Sequence, residues 1–407
     1  MRLSTSSMYG MGLSAMLKQQ SDFTNVAQQL ATGKRVVSPS DDPRAASQAL
    51  VVSQSIAVNE QYSASRTTAK QNLELEEGVL QNVTDALQSL SPLIVQAGNG
   101  TLSDADRNSL ATQIDGLYQQ MLGLANSQDG NGNYIFAGVK GDTQPFVAGD
   151  DGSVSYQGAT LQMEQKVDAS RSMTSGDLGS TVFTQVASSA SYIGKGSSDN
   201  QGTVVFSGPS VSDTKNEDYG KAFNIVFGAD TDGNTTYTVS YEGGGTVDGM
   251  ADLPYTSGQT ISFGGLSMTF SGEPETDDKF SVARGSAADS NILNAMADLV
   301  TALKQPLDSE NAKANYENAI ATASRQTSNA LDNVLTVRAS IGSKLNELDA
   351  LDVTGDSRVL NYKSTLSDLE DLDYASAISD YMLKQTSLQA AQKTFTQIQG
   401  MSLFDLL

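Results

Sequence analysis

The chain has 407 residues with no cysteine and no histidine, and its 47 acidic and 25 basic residues give a net charge of −22. Disulfides and thiolate chemistry are therefore excluded, as are the Ser-His-Asp and Cys-His catalytic sites that need an imidazole base. The negative charge, with no run of Lys and Arg to offset it, argues against nucleic acid as a partner. At this length we expect about two to four domains.

The N-terminal region predicts an amphipathic helix. The first twenty residues, "MRLSTSSMYGMGLSAMLKQQ", contain no continuous apolar run, so we expect no cleaved signal peptide. No stretch of the chain approaches the roughly 18 apolar residues of a membrane-spanning helix, so we expect no membrane partner. The helical stripe consists of Leu13, Met16, Phe23, Ala27 and Leu30.

The segment "LATGKRVVSPSDDPRAA" (30–46) follows this helix. Its Gly-Lys pair lacks the spacing of a phosphate-binding loop and follows a helix where such a loop follows a strand, so that interpretation fails. The alternative is a hinge between two helices, in which a glycine ends the first helix, two prolines stiffen the crossing and an aspartate caps the second helix. The predicted hinge residues are Gly33, Pro39, Asp41, Asp42 and Pro43.

A long second helix is predicted from Arg44 to Ala97. A seven-residue step along it is apolar in its second half, which is typical of a coiled-coil seam. We expect Pro92 to kink this helix, or a new helix to begin with Ser91 as its N-cap. A further helix should begin at "SDAD" (103–106), which has the form of a capping box. The seam positions of the second helix are Val52, Asn59, Arg66, Leu73, Leu80, Leu87 and Ile94.

The middle of the chain has a different pattern. After a Ser- and Gly-rich stretch over 172–202, short runs alternate apolar and polar residues up to about 284, which predicts half-buried antiparallel strands. The sequence "DTDGN" (230–234) fits a hairpin turn better than a calcium loop, since Tyr241 stands where such a loop needs an acid.

Helical periodicity returns in the C-terminal third. One helix is predicted to end near Pro306, and a longer one has its seam from Ile320 to Leu348, interrupted by "DVTGDS" (352–357). A final stripe runs towards the end "MSLFDLL". A lone pair of terminal helices buries little, so their apolar surfaces predict association with other chains. The predicted assembly residues are Leu13, Met16, Phe23, Leu30, Ile378, Met382, Leu388, Phe395 and Ile398.

These patterns predict an α+β protein: a long helical coiled-coil rod formed by the N- and C-terminal regions, with an inserted, mainly antiparallel β domain. We expect no catalytic, cofactor or metal site, since nothing singles out a pair among the 47 acids. The predicted domains are a terminal helical segment at 1–43 that pairs with 360–407, rod parts at 44–184 (with a β-hairpin region) and 286–359, and a β insert at 185–285.

Both ends of the chain resemble the flagellin superfamily. "LATGKRVVSPSDDPRAA" is similar to its N-terminal signature, and "LSDLEDLDYASAISDYMLKQTSLQAAQKTFTQIQGMSLFDLL" to its C-terminal region. The start "MRLSTSSMYG", the Pro-flanked "SPSDDP" and "ANSQDGNGNYIFAGVKGDTQPF" resemble the junction-type members of that superfamily more than the filament subunits.

The resemblance implies a structural protein of the bacterial flagellum, secreted unfolded through the export channel with the help of a chaperone. It implies a ring of neighbouring copies between the first hook-associated protein and the first flagellin subunits. The absence of cysteine fits passage through such a channel. Two alternatives remain at this stage: a flagellin that polymerises into the filament, or a surface adhesin or extracellular enzyme carried by the β insert.

Overall fold

The computed structural model describes residues 5–149, 152–186, 190–285 and 290–400, with the side chains of residues 5, 6, 8 and 398–400 left out. The chain forms two compact units. The first comprises the residues up to Ala64 together with those from Ala350 on, and the second comprises Ser65–Asp349.

Long helices at both ends enclose a central antiparallel β region in the sequence, which confirms the predicted fold class. The helices are α1 (Thr5–Thr32), α2 (Pro43–Ala97), α3 (Asp104–Ala125), α4 (Ile292–Lys304), α5 (Glu310–Glu370) and α6 (Tyr374–Gly400). The strands are β1 (Phe146–Ala148), β2 (Val154–Tyr156), β3 (Glu164–Asp168), β4 (Arg171–Thr174), β5 (Tyr192–Gly196), β6 (Val205–Val211), β7 (Phe223–Ala229), β8 (Thr235–Tyr241), β9 (Leu253–Pro254), β10 (Gln259–Phe263), β11 (Leu266–Ser271) and β12 (Lys279–Arg284).

In the second unit, α2 and α5 lie antiparallel. Near the start of the pair Lys70 Nζ lies 2.7 Å from Asp349 Oδ1, and near its other end the Tyr316 hydroxyl donates to the Ala97 carbonyl at 2.7 Å. Between these contacts Arg338 donates to Glu77 Oε1 at 2.8 and 2.9 Å. The predicted seam is buried there, since the last four of its positions are each at most 2% exposed: Leu73, Leu80, Leu87 and Ile94.

Two predicted interruptions of these helices are wrong. α2 continues through Pro92 without a new N-cap at Ser91, whose hydroxyl instead donates to the Leu87 carbonyl at 3.2 Å. α5 continues through "DVTGDS", where Thr354 and Ser357 donate their hydroxyls to carbonyls four residues back. A single glycine costs a helix only about 1 kcal/mol, so Gly355 does not end a helix of 61 residues.

The shorter helices of this unit begin and end close to the predicted positions. Ser103 and Asp106 form the capping box of α3, with Ser103 Oγ accepting from the Asp106 N–H at 3.2 Å. The buried side of α3 is rotated slightly from the predicted stripe, because Tyr118 and Ala125 are buried there. α4 packs against α3 and ends at Lys304, two residues before Pro306.

The strands β5 to β12, which we call the β domain, form two antiparallel sheets with the orders β5-β12-β7-β8-β9 and β10-β11-β6. Side chains from both sheets meet in one core, where the rings of Phe227, Phe270 and Phe280 lie 5.3 to 5.9 Å apart. The predicted turn at 230–234 joins β7 to β8, and Asp230 Oδ1 accepts from the Asp232 and Asn234 N–H groups. Ala321 of α5 packs against the same core.

The segment between α3 and β1 is a compact turn that needs glycine. Gly138 has a φ of +63°, and a Cβ there would lie 2.5 Å from the Leu161 carbonyl oxygen. Asn126 holds the end of the segment, because its amide accepts from the Phe146 N–H and donates to the Phe146 carbonyl, each at 2.9 Å. Phe136 and Phe146 are fully buried against Phe183. The motif "GNYIFAGVKGDTQPF" therefore builds part of the core of this unit.

One acid is buried in the second unit without an ion-pair partner of its own. Glu76 of α2 is fully buried, and both of its carboxylate oxygens lie 3.2 Å from the Asp177 N–H. Lys344 of α5 lies 3.3 Å from the carboxylate of Asp177, which also accepts from Gln162. Burial, with the negative Asp177 as a second cause, raises the pKa of Glu76 to about 8.

The α2–α5 seam should dominate the stability of the second unit. We expect Leu87→Ala to lower the free energy of unfolding by about 2–5 kcal/mol, because it opens a cavity in a fully packed layer. Denaturant titration of the monomer measures it, with Leu50→Ala as control, since Leu50 lies on the same helix but is 71% exposed. The sequence pattern had also placed Leu331 and Leu345 in this core; they are only half-buried, whereas Ile341 is fully buried. Equal effects of the two variants would contradict the buried seam.

The buried acid predicts a stability that falls as the pH rises. The folded protein keeps a proton on Glu76 up to about pH 8, whereas the unfolded chain loses it near the ordinary pKa, so folding becomes less favourable between those two values. Glu76→Gln cannot ionise and still offers an oxygen to the Asp177 N–H.

The variant and the wild type should therefore show a stability difference that is constant below about pH 4 and then changes in favour of the variant, by a few kcal/mol (about 2–5), up to about pH 8. Denaturant titrations across this range test it, with the exposed Glu74→Gln as control. A parallel pH dependence of the wild type and Glu76→Gln would show that the acid ionises normally.

Candidate assembly site

The terminal helices α1 and α6 form an antiparallel pair in the first unit. Tyr9 lies against Phe395 and Phe23 against Tyr381, with ring centroids 5.2 and 5.0 Å apart. Asp22 Oδ2 accepts from Lys384 Nζ at 3.0 Å beside the second ring pair. The two ring pairs are 14 residues apart on each helix, which is two heptads and fits a coiled-coil seam.

Six of the predicted assembly residues lie on this seam. Leu13, Met16, Phe23 and Leu30 are half-buried along α1, and the register of the ring pairs places Met16 opposite Leu388. Leu388 and Phe395 are half-buried on α6. Each helix therefore covers part of the other's apolar stripe.

The structure does not bring Ile378 and Met382 to α1. They are 47% and 63% exposed, and Leu383 beside them is also 63% exposed. Ile398 lies in α6, but its side chain is outside the part that the structure describes, and "MSLFDLL" (401–407) is outside it altogether. The predicted stripe of α6 thus combines two different faces of the helix.

Sequence analysis missed the residues that complete the α6 seam. They are Ala377, which is buried, and Tyr381, Lys384 and Ala391, which are half-buried. Together with Leu388 and Phe395 they follow a spacing of four and three residues, which is the signal of a coiled-coil seam. The spacing was visible in the sequence, but small and charged residues at three positions made it less apolar than the neighbouring face.

The predicted hinge is joined to the connection between α5 and α6. Gly33 has a φ of +70°, and its carbonyl accepts from the Leu372 N–H at 3.0 Å. Next to it, the Arg35 N–H donates to the Glu370 carbonyl at 2.6 Å and Lys34 Nζ lies 2.6 Å from a Glu370 carboxylate oxygen. The two chain crossings therefore hold each other in place.

The prolines and aspartates of the hinge divide the remaining work. Pro39 lies in a tight turn closed by the Asp41 N–H, which donates to the Ser38 carbonyl at 2.9 Å, while Asp41 Oδ2 accepts from the Ser38 N–H. Asp42 caps α2: its Oδ1 accepts from the Ala45 N–H at 3.1 Å, and this bond is the first cause that lowers the pKa of Asp42. Pro43 is the first residue of α2, where a missing N–H costs nothing.

The described residues offer little for other kinds of site. Among them no group of three or more acidic side chains is placed to hold a metal ion. None of the helices in the described part of the chain has a stretch apolar enough to cross a membrane. The candidate site is therefore a surface for assembly.

Comparison with known proteins gives this surface a context. Residues 3–141 match the bacterial flagellin N-terminal helical region. The flagellar hook-associated protein 3 of Escherichia coli (strain K12) is 37% identical over 407 residues, covering the whole of this chain and 99% of the relative. A flagellin of Serratia marcescens is 26% identical over 307 residues, covering 74% of this chain and 77% of the relative.

A solved structure agrees with the first of these relatives. The flagellar junction protein FlgL of Legionella pneumophila has a TM-score of 0.64 and 29% identity, covering 80% of this chain and 100% of that protein. The full-length match at the higher identity, together with this fold, favours the junction type over the filament subunit. The chain therefore belongs to the flagellar hook-associated protein 3 family and is a structural protein of the flagellar junction.

Proposed function

We propose that copies of this chain form a ring between the first hook-associated protein and the first flagellin subunits, and that α1 and α6 make the contacts within it. In this proposal the α1–α6 pair is the building block of the ring. Contacts with hook-associated protein on one side and flagellin on the other would extend the same helical packing across both boundaries. The relatives named above support a junction role, and the surface of α6 supports this choice of contact.

The exposed apolar face of α6 is the observation that carries the proposal. Tyr374, Ile378, Met382 and Leu383 are 47–63% exposed within a little over two turns of helix. Exposed side chains of this size in one place mark an interface. A second copy of the same helix pair offers a matching apolar surface, because Met11 and Leu17 of α1 are 53% and 54% exposed.

The hinge has a defined part in this proposal. A ring needs the α1–α6 pair at a constant angle to the helices that follow, and residues 33–42 and 371–373 are bonded to each other through main-chain groups. Proline at two positions of the first crossing removes further freedom from it. We infer that the segment is a fixed joint, in which Gly33 permits the turn and Asp42 with Pro43 sets the start of α2.

Export follows from the same proposal. The chain would leave the cell unfolded through the flagellar export channel, with a chaperone covering its exposed apolar residues until then. The exposed face of α6 supports this role for a chaperone, since it would otherwise promote aggregation in the cell. A chain with no cysteine cannot form wrong disulfides after release.

The exposed face of α6 should be needed for incorporation and not for folding. We expect Ile378→Asp with Met382→Asp to abolish junction formation, because both carboxylates would be buried without partners in the interface. Immunogold labelling of flagella in a strain that lacks its own copy measures incorporation, and circular dichroism of purified monomer checks folding.

Ser376→Asp is the matched control, since it adds the same charge at an exposed position two residues away, on the other side of α6. Filaments with one labelled point per filament are expected for this control and for the wild type. Normal labelling of the double variant would refute the assigned face, and label along the whole filament would indicate a flagellin.

The joint should depend on the left-handed backbone of Gly33. Gly33→Ala places a Cβ at φ +70° and 2.8 Å from the Tyr374 hydroxyl, so we expect weaker pairing of residues 33–35 with 369–372 and reduced motility. Hydrogen exchange at Leu372, whose N–H donates to Gly33, measures the local opening. Gly10→Ala is the control, because a Cβ there meets nothing within 4 Å. Unchanged protection of Leu372 in Gly33→Ala would contradict a joint fixed at this glycine.

A further inference from the structure

One face of α5 carries amide and hydroxyl side chains where it meets the β strands. Steps of four, three, four, seven and four residues separate them, which places all of them on one side of the helix. The opposite side carries the buried apolar positions, among them Ile320, Val334 and Ile341. We call the polar set the amide ladder: Asn311, Asn315, Asn318, Thr322, Asn329 and Asn333.

The ladder is buried and bonded to main-chain groups. Asn318, Thr322, Asn329 and Asn333 are 2–7% exposed. Asn333 donates to three carbonyls in the turn before β5, at 2.9 to 3.0 Å. Asn311 donates to carbonyls in the loop between β5 and β6 at 2.7 and 3.0 Å. These side chains therefore serve the backbone of the strand region and do not face water.

Two members of the ladder bond the backbone as a neighbouring strand would. Asn318 accepts from the Phe206 N–H at 3.0 Å and donates to the Val204 carbonyl at 2.8 Å. Asn329 accepts from the Ser191 N–H at 3.1 Å and donates to the Ser191 carbonyl at 2.8 Å. A side-chain amide has one donor and one acceptor side by side, as a peptide group has.

These bonds lie on the two strand edges that the sheets leave open. β5 is the end strand of one sheet and pairs only with β12, and β6 is the end strand of the other and pairs only with β11. Between the two asparagines, Thr322 donates its hydroxyl to the Gly194 carbonyl of β5 at 2.7 Å. An end strand with free N–H and C=O groups is a template for strands of other molecules.

We propose that the amide ladder of α5 caps these two edges, so that the β domain cannot pair through β5 or β6 with the β domain of another copy. The cap protects a protein whose copies are crowded together during assembly, but the inference does not depend on the proposed function. Apolar residues at the same positions would also cover the strands, but they would leave the edge N–H and C=O groups unbonded.

Single substitutions test whether each asparagine protects its own edge. In full-length Asn318→Ala the Phe206 amide should exchange about tenfold faster or more, since an opening equilibrium shifts by roughly that factor when a hydrogen bond of ordinary strength is lost. The Ser191 amide should stay unchanged. In Asn329→Ala the pattern should be reversed. The Val239 amide of β8, which donates to Met250, is the internal reference for global unfolding.

Self-association tests the cap itself. The double variant Asn318→Ala with Asn329→Ala should form larger species as concentration rises, in sedimentation velocity runs beside the wild type and beside Asn361→Ala, an exposed asparagine of the same helix. In those larger species the Phe206 and Ser191 amides should regain protection, because strands of other copies now pair with them.

Three results would overturn the proposal. One is a double variant that sediments like Asn361→Ala at every concentration. Another is faster exchange that is equal at Phe206, Ser191 and Val239 in both single variants, which would mean general destabilisation. The third is association in which Phe206 and Ser191 stay unprotected. Should the double variant not fold, sedimentation of the two single variants decides between these outcomes.

Discussion

The fold of residues 65–349 depends on one helix, α5, whose two sides meet two different kinds of structure. Its apolar side packs against α2, where Ile341 and the layers around Leu80 and Leu87 exclude water. Its opposite side meets strand edges, which need hydrogen bonds. A rotation of α5 by one residue, about 100°, would turn asparagines towards leucines and leave main-chain groups unbonded. The positions of the helices and of the strands are therefore fixed by the same register.

Sequence analysis found the elements whose own pattern is their cause. The capping box of Ser103 and Asp106 and the period-two runs of β7 and β8 are local signals, and the structure has them where the sequence predicts them. The amide ladder was not found. Asparagines on one side of an amphipathic helix have the pattern of a solvated face, and their burial follows only from the strand edges that pack there.

The two interruptions that sequence analysis predicted in long helices fail for a shared reason. Pro92 and Gly355 remove local helical stability, by about 3 kcal/mol for proline and 1 kcal/mol for glycine. Each stands in a helix of more than fifty residues whose other turns are held by packing. Pro92 is exposed, so its ring displaces no neighbour, and Gly355 is buried, where a larger side chain would need space. Local breakers end a helix only when the packing on both sides is weak.

The terminal helices show the opposite balance between size and burial. In α6 the small residues Ala377 and Ala391 lie on the seam with α1, while Ile378 and Met382 lie outside it. Small side chains let two helices approach closely, but they bury little apolar area, so the α1–α6 pair gains only a modest part of the stabilisation that its composition offers. Larger side chains on the seam would satisfy the pair by itself and leave no apolar surface for neighbours. Because the large residues are outside, burial of that surface requires another chain, and this is the physical reason for assigning the assembly contact to this face of α6.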